Sequence, residues 1–234
     1  MEVRKVHMKL PDRIYHLAEA ANWPSIQRYG LLSAGRLMEV AGLTRSDRDR
    51  LRRTQRLTHT ELCNGVQIRD QCPMPPTALA QCLCDMEPAD WYAMINARVF
   101  FWLNVDRLNR QKAACEPRLQ VVMAVDTAAL VAAYEKRVAV TPINTGHARR
   151  KPARRGPATF VPLAEWARSG WASEAGALGI PSRRRSHQPV ELTVIDAVPD
   201  ILRFVLGIFA VPAGQSFDET NRIGRSMLLS YCKT

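Results

Sequence analysis

Apolar positions along the chain group into short runs separated by turn residues, and the runs alternate between two periods. "RIYHLA" (13–18) reads as a short buried strand. "NWPSIQRYG" follows with the marks of a short helix: Asn22 as N-cap, Pro24 in the first turn and Gly30 at the C-terminal stop. "LLSAGRLMEVAGL" predicts a turn and a second short helix. Residues 44–56 carry six arginines and one large apolar residue, so this stretch has no face to bury and reads as a solvated helix or a loop. In "PPTALAQCLCDM", Leu79, Leu83 and Met86 fall at helical spacing, and "EPADWYAMI" starts another helix at Pro88 that buries Trp91 and Ile95.

The second half continues the mixture. "RVFFWLN" (98–104) predicts an aromatic strand; a polar helix near 106–115, a strand over 119–125, a helix near 127–134 and a strand near 137–141 follow. Residues 142–159 form a long loop rich in Pro, Gly and Arg, which suggests mobility. A helix covers 163–175. "PVELTVI" and "ILRFVLGIFAV" are two late strands, and the second is all apolar, which predicts a central position. No internal repeat or clean boundary divides the chain, so the expectation is one mixed α/β domain over 1–234.

Composition narrows the classes. At 234 residues and 47% apolar character the chain can bury a sizeable core. No stretch approaches the roughly 20 apolar residues of a membrane helix, and the N-terminus lacks the apolar region of a signal peptide, so a cytoplasmic, non-membrane protein is expected. The six cysteines have no framework spacing and read as reduced thiols, with Cys82 and Cys84 inside a helix and zinc a poor second. The net charge of +11 suits polyanionic or phosphorylated partners, or simply a solvated basic surface.

Several residues carry candidate chemistry. Tyr15-His16 lies in the first strand, where the histidine is either a core residue bonded to backbone or a ligand-facing donor. Arg69, beside Asp70, is either a fixed anion clamp or a surface ion pair. Phe100, Phe101 and Trp102 are consecutive in a strand, so two point one way and one the other; they are core packing or a flat wall for a heteroaromatic ring. Arg149, Arg150, Arg154 and Arg155 sit in a glycine-interrupted loop that can wrap an anion, as nucleic acid presents, or stay solvated. Glu191 follows a basic block, "RRRSHQP". Strand alternation puts it with Thr193 and Ile195, opposite Val190, Leu192 and Val194. A buried, unpaired carboxylate is costly, so Glu191 reaches water, pairs with an arginine or lines a cleft. The chain contains no GxGxxG, P-loop, HExxH or GxSxG motif.

"IYHLAEAANWPSIQRYGLLS" resembles the opening of DarT-like ADP-ribosyltransferases, in which a Y-H strand precedes a helix and turn. "HQPVELTVIDAVPD" resembles their late strand with its catalytic glutamate. "IRDQCPMPP…WYAMINARVFFWLN…INTG" is similar to a bacterial family of unknown function that we take as a remote branch of the same fold. The resemblance implies a diphtheria-toxin-like α+β fold, with two small packed sheets around a central NAD cleft and flanking helices. It makes Glu191 the catalytic acid and Arg69 the arginine that orients NAD or target. His16, with Tyr15, would hold NAD; Asn22 and Ser33 would fall near the adenosine; Phe100 or Trp102 would hold the nicotinamide. No metal is implied. The glycine-and-aspartate loop by which DarT members recognise single-stranded DNA is not evident, 44–68 being arginine-rich instead, which leaves the acceptor open between DNA, RNA and protein. The expected activity is transfer of ADP-ribose from NAD, with a nucleobase favoured as acceptor and a toxin or phage-defence role countered by an antitoxin or immunity protein. A non-catalytic nucleic-acid-binding protein on the same scaffold, and a structural domain, are the rivals.

Overall fold

A computed structural model describes residues 9–149, 151–184 and 186–219. In chain order the first half contains β1 (Arg13–Glu19), α1 (Trp23–Tyr29), β2 (Leu31–Leu32), α2 (Ala34–Val40), α3 (Arg45–Arg53), β3 (Thr60–Glu61), β4 (Gln67–Ile68), α4 (Pro76–Ala80), α5 (Pro88–Asn96) and β5 (Arg98–Trp102). Then follow α6 (Val105–Ala114), β6 (Gln120–Asp126), α7 (Thr127–Tyr134), β7 (Val138–Thr141), β8 (Val161–Pro162), α8 (Leu163–Ser169), α9 (Ala172–Leu178), β9 (Glu191–Ile195), β10 (Ala197–Val198) and β11 (Val205–Val211). The architecture is mixed α and β around one large antiparallel sheet.

Seven strands run in the order β11-β6-β1-β5-β9-β7-β8, with two separate two-stranded ribbons, β10-β2 and β3-β4. Two small packed sheets were expected, and hydrogen bonding instead joins the main strands into one. The joint is narrow. β1 pairs with β6 over seven residues, Arg13↔Asp126 to Glu19↔Gln120, but with β5 only at Tyr15↔Trp102. Beyond that pair the two halves part.

Strand alternation sorts the core. Ile14, Val99, Phe101, Met123, Leu192 and Val194 pack on one face, and Tyr15, Leu17, Trp102, Val122 and Phe209 on the other. Trp91, Tyr92 and Phe160 centre a third cluster, built by α5 and the segment before β8.

Four expectations change. The all-apolar β11 is an edge strand, pairing with β6 alone among the described strands. Its Phe209 packs on Phe217 and its Ile208 on the opposite core, so apolarity here reports partial cover on both faces, with Leu206 left exposed, and not neighbours at both edges. The helix expected over 163–175 is two helices, broken at Gly170 in a positive-φ conformation (66°). The spacing of Leu79, Leu83 and Met86 does not extend a helix. α4 ends at Ala80, and Cys82 and Cys84 lie beside a bridge in which Arg155 N–H donates to Cys82 C=O and Cys84 N–H to Arg155 C=O, both at 2.8 Å. That bridge, with Ala148 N–H donating to Pro73 C=O (2.8 Å), pins the arginine-rich loop. α3 does form as a helix without buried residues, yet Arg56 just beyond it is only 8% exposed.

No helix among the described residues is long and apolar enough to cross a membrane.

Candidate functional site

A cavity of about 790 Å³ opens where β1 and β5 part, within the size range of small-molecule sites. His16, Asn22, Arg69, Phe100, Trp102 and Glu191 all line it, although they come from five separate stretches of chain. Five arginines (56, 69, 98, 107 and 110) against three acids (19, 70 and 191) give its wall a cationic excess.

Glu191 opens β9, directly opposite Trp102 on β5 and Thr141 on β7. It is 4% exposed. Thr145 donates to it from its backbone N–H (3.2 Å) and from its hydroxyl (2.9 Å). Burial pushes its carboxyl up to about 7, against the threonine hydrogen bonds and the more distant positive charge of Arg155. The Thr141 hydroxyl lies 2.8 Å from Ile143 C=O and 2.9 Å from Glu191 Oε2. A hydroxyl has one proton, so whenever Thr141 gives it to the carbonyl, the acid itself must donate the second bond. The site therefore accommodates Glu191 in both protonation states.

Arg98, Phe100 and Trp102 of β5 line the cavity and Phe101 turns to the core, the two-to-one split expected of consecutive aromatics, while Val99 packs in the core and also borders the cavity. Trp102 Nε1–H donates to Gln111 Oε1 on α6, which anchors the indole. His16 faces the gap from β1. Its Nδ1 lies 2.8 Å from Phe100 C=O, so that nitrogen carries the proton and supplies a cross-strand bond where the ladder has stopped. Burial lowers the imidazole to about 4, with Arg69 adding to the effect, so His16 is neutral at pH 7 and Nε2 is an acceptor.

Arg69 does not pair with Asp70. Nε donates to Glu19 (3.2 Å) and Nη2 to Gln120. Glu19, 2% exposed on β1, also meets Arg118 at 3.3 Å. The guanidinium is thus held rigidly at the cavity wall, as a fixed clamp requires. Asn22 is the N-cap of α1 but makes no capping bond. Its amide exchanges two hydrogen bonds with the Gln67 backbone, 2.8 and 2.7 Å, and so ties the first helix to β4. Gly30, also on the wall, needs its glycine: φ is 72°, and a Cβ would come within 2.3 Å of Pro199 O.

Other expected site residues lie elsewhere. Tyr15 points to the opposite face of β1, where its hydroxyl donates to Glu219 (2.9 Å) and its ring meets Phe217. Ser33 caps α2, accepting from Arg36 N–H at 3.3 Å, and borders a separate hollow of about 400 Å³. Of the basic loop, Arg155 is turned inward while Arg149 and Arg154 are exposed. Arg155 is 2% exposed and donates to Thr145 C=O, behind Glu191. Arg154 contacts the Cys84 sulfur and Arg149 donates to Cys72 C=O. Arg150 lies outside the described residues. Thr141, Thr145, Glu19 and Arg98 were not singled out from sequence. Only the "NTG" turn at Thr145 offered a signal, and the Thr141 pairing depends on register.

The family model "Family of unknown function (DUF7002)" matches residues 12–205. The chain belongs to this family. Its matched span runs from the start of β1 to the start of β11 and so contains the whole cavity wall. No curated protein and no solved structure matches the chain.

Proposed function

We propose that the protein is an NAD-dependent ADP-ribosyltransferase that acts on a macromolecular acceptor, with a nucleobase of DNA or RNA favoured. One observation carries this reading: an ionisable carboxylate, an aromatic wall, a neutral imidazole and a clamped arginine, distant in sequence, line one cationic cavity. NAD supplies an ADP-ribosyl group on a cationic nicotinamide leaving group. The residues present suit such a ligand. Phe100 and Trp102 offer stacking surface for a ring; His16 Nε2 can accept from a ribose hydroxyl; Arg69 and the other cavity arginines attract diphosphate. Ionised Glu191 would hydrogen-bond a ribose hydroxyl and offset the positive charge that builds on the sugar as the glycosidic bond breaks.

The acceptor reading rests on net charge and on the exposed Arg149 and Arg154 of the basic loop, Arg155 being used within the fold. A cytoplasmic toxin or defence role with a neutralising partner follows the family resemblance and belongs to the same proposal. Incubation with labelled NAD and DNA, RNA or total protein is the test. The wild type is expected to release nicotinamide and label one class of acceptor, and Glu191→Ala to lose at least about 100-fold of that activity. A wild type that binds no NAD and labels nothing refutes the reading.

A further inference from the structure

Arg98 is the cavity's unexplained group. It begins β5 and lies on the same face as Phe100 and Trp102, four residues from the position opposite Glu191, or about 13 Å along the strand. Its Nε and Nη1 are sealed from solvent without a hydrogen-bond partner, and no carboxylate pairs with it among the described residues. Desolvation alone drives its pKa down to about 10. The guanidinium rests over the Phe160 ring, 4.2 Å from its centroid, a contact that offsets only part of such a charge. Arg56, on the same wall, is a second buried cation. It donates to neutral acceptors: Arg69 C=O (2.9 Å), Leu51 C=O (3.3 Å) and Asn96 Oδ1 (3.1 Å). Burial lowers it to about 10 as well.

Arg98 is partly buried with two nitrogens unsatisfied, and Arg56, buried among neutral acceptors, has only the nearby charge of Asp70 to offset its own. Cations left short of hydrogen-bonded anions at a cavity are completed where a ligand supplies one. We infer that Arg98, supported by Arg56, forms an anion subsite that takes the diphosphate of the bound ligand, at the far end of the cavity from Glu191. The separation lets one extended molecule meet both ends. That the diphosphate belongs to a dinucleotide rests on the NAD reading; the anion subsite itself does not.

Calorimetric titration of the whole chain with inorganic pyrophosphate, and separately with NAD, tests it. Pyrophosphate is expected to bind the wild type and to bind Arg98→Gln about 10–100-fold more weakly, with NAD affinity falling by a similar factor. Equal pyrophosphate affinity in the two proteins, or none in the wild type, overturns the subsite. Pyrophosphate binding that depends on Arg98, in a protein that ignores NAD, upholds the subsite and removes the dinucleotide. NAD binding undiminished by Arg98→Gln does the reverse. Should Arg98→Gln fail to fold, Arg98→Met serves, because an apolar chain relieves the unpaired charge. Pyrophosphate should then raise the melting temperature of the wild type and leave that of Arg98→Met where it was; equal rises in both overturn the subsite.

Discussion

Replacing Glu191 by Gln should make the protein more stable, and increasingly so as pH rises. A glutamine carbonyl in the place of Oε1 can still accept from Thr145 N–H (3.3 Å), and an amide in the place of Oε2 can donate to Thr141 Oγ1, the role otherwise open only to the protonated acid. What the variant lacks is the titration. Glu191 moves from an ordinary 4.5 in the unfolded chain to about 7 in the fold. For an acid whose pKa rises on folding, the stabilising contribution is complete below 4.5 and is lost as pH climbs through 7. Between pH 5 and pH 8 the loss comes to about 2.5 kcal/mol. That corresponds to a change of roughly 5–10 °C in melting temperature for a chain of this size. The assay is urea or thermal unfolding of both proteins at pH 5, 6, 7 and 8. Other groups titrate alike in the two, so the difference isolates residue 191. Glu191→Gln should gain on the wild type across this range; a difference that stays flat with pH refutes a buried, half-neutral acid. On the proposed transferase reading the same titration should appear in catalysis, with NAD consumption rising through pH 7 as the carboxylate ionises.

Three further outcomes follow from the geometry. Burial lowers His16 to about 4, so it is neutral throughout pH 5.5–8, and on the proposed NAD reading the ratio of NAD affinities between wild type and His16→Ala should stay constant over that range by calorimetry. Glu19→Ala removes the acid shared by Arg69 and Arg118 and should cost about 3 kcal/mol in denaturant melts, the lower end for a buried pair because both arginines reach solvent. Gly30→Ala needs a Cβ 2.3 Å from Pro199 O in a positive-φ conformation, so expression should yield unfolded or insoluble protein by circular dichroism, with a loss above about 3 kcal/mol if soluble.

Local signals were legible where one short stretch decided the outcome. The Asn-Trp-Pro start and Gly30 stop of α1 and the alternation through β5 and β9 are set by neighbours within a turn or two. Glu191 stood out because an acid in an apolar alternation needs a reason. Its reason was not legible, since Thr141 and Thr145 reach it only through the register of β7 on β9. Arg69 went to Glu19 instead of its neighbour Asp70 for a similar cause: the partner lies fifty residues away. Among the described loop arginines only Arg155 turns inward, while Arg149 and Arg154 stay exposed; composition records charge and not direction. Arg155 carries the same +1 whether it meets solvent or Thr145 C=O.

Four polar or charged residues of the main sheet, His16, Glu19, Arg98 and Glu191, meet at one cavity. Along β1, Ile14 and Ala18 are ordinary core residues, yet His16 and Glu19 in the same strand are polar. Glu19 is neutralised by Arg69 and Arg118. His16 spends one nitrogen bridging the gap to Phe100 and keeps the other. Arg98 on the adjoining strand keeps two nitrogens unsatisfied, and Glu191 on the next is held near its own pKa. A sheet built only for stability would fill these positions with Val or Ile and zip β1 to β5 along their length. Instead, the strands part just where the unsatisfied groups face each other. Such a cluster of departures from packing rules at one cavity is what the proposed ligand site requires.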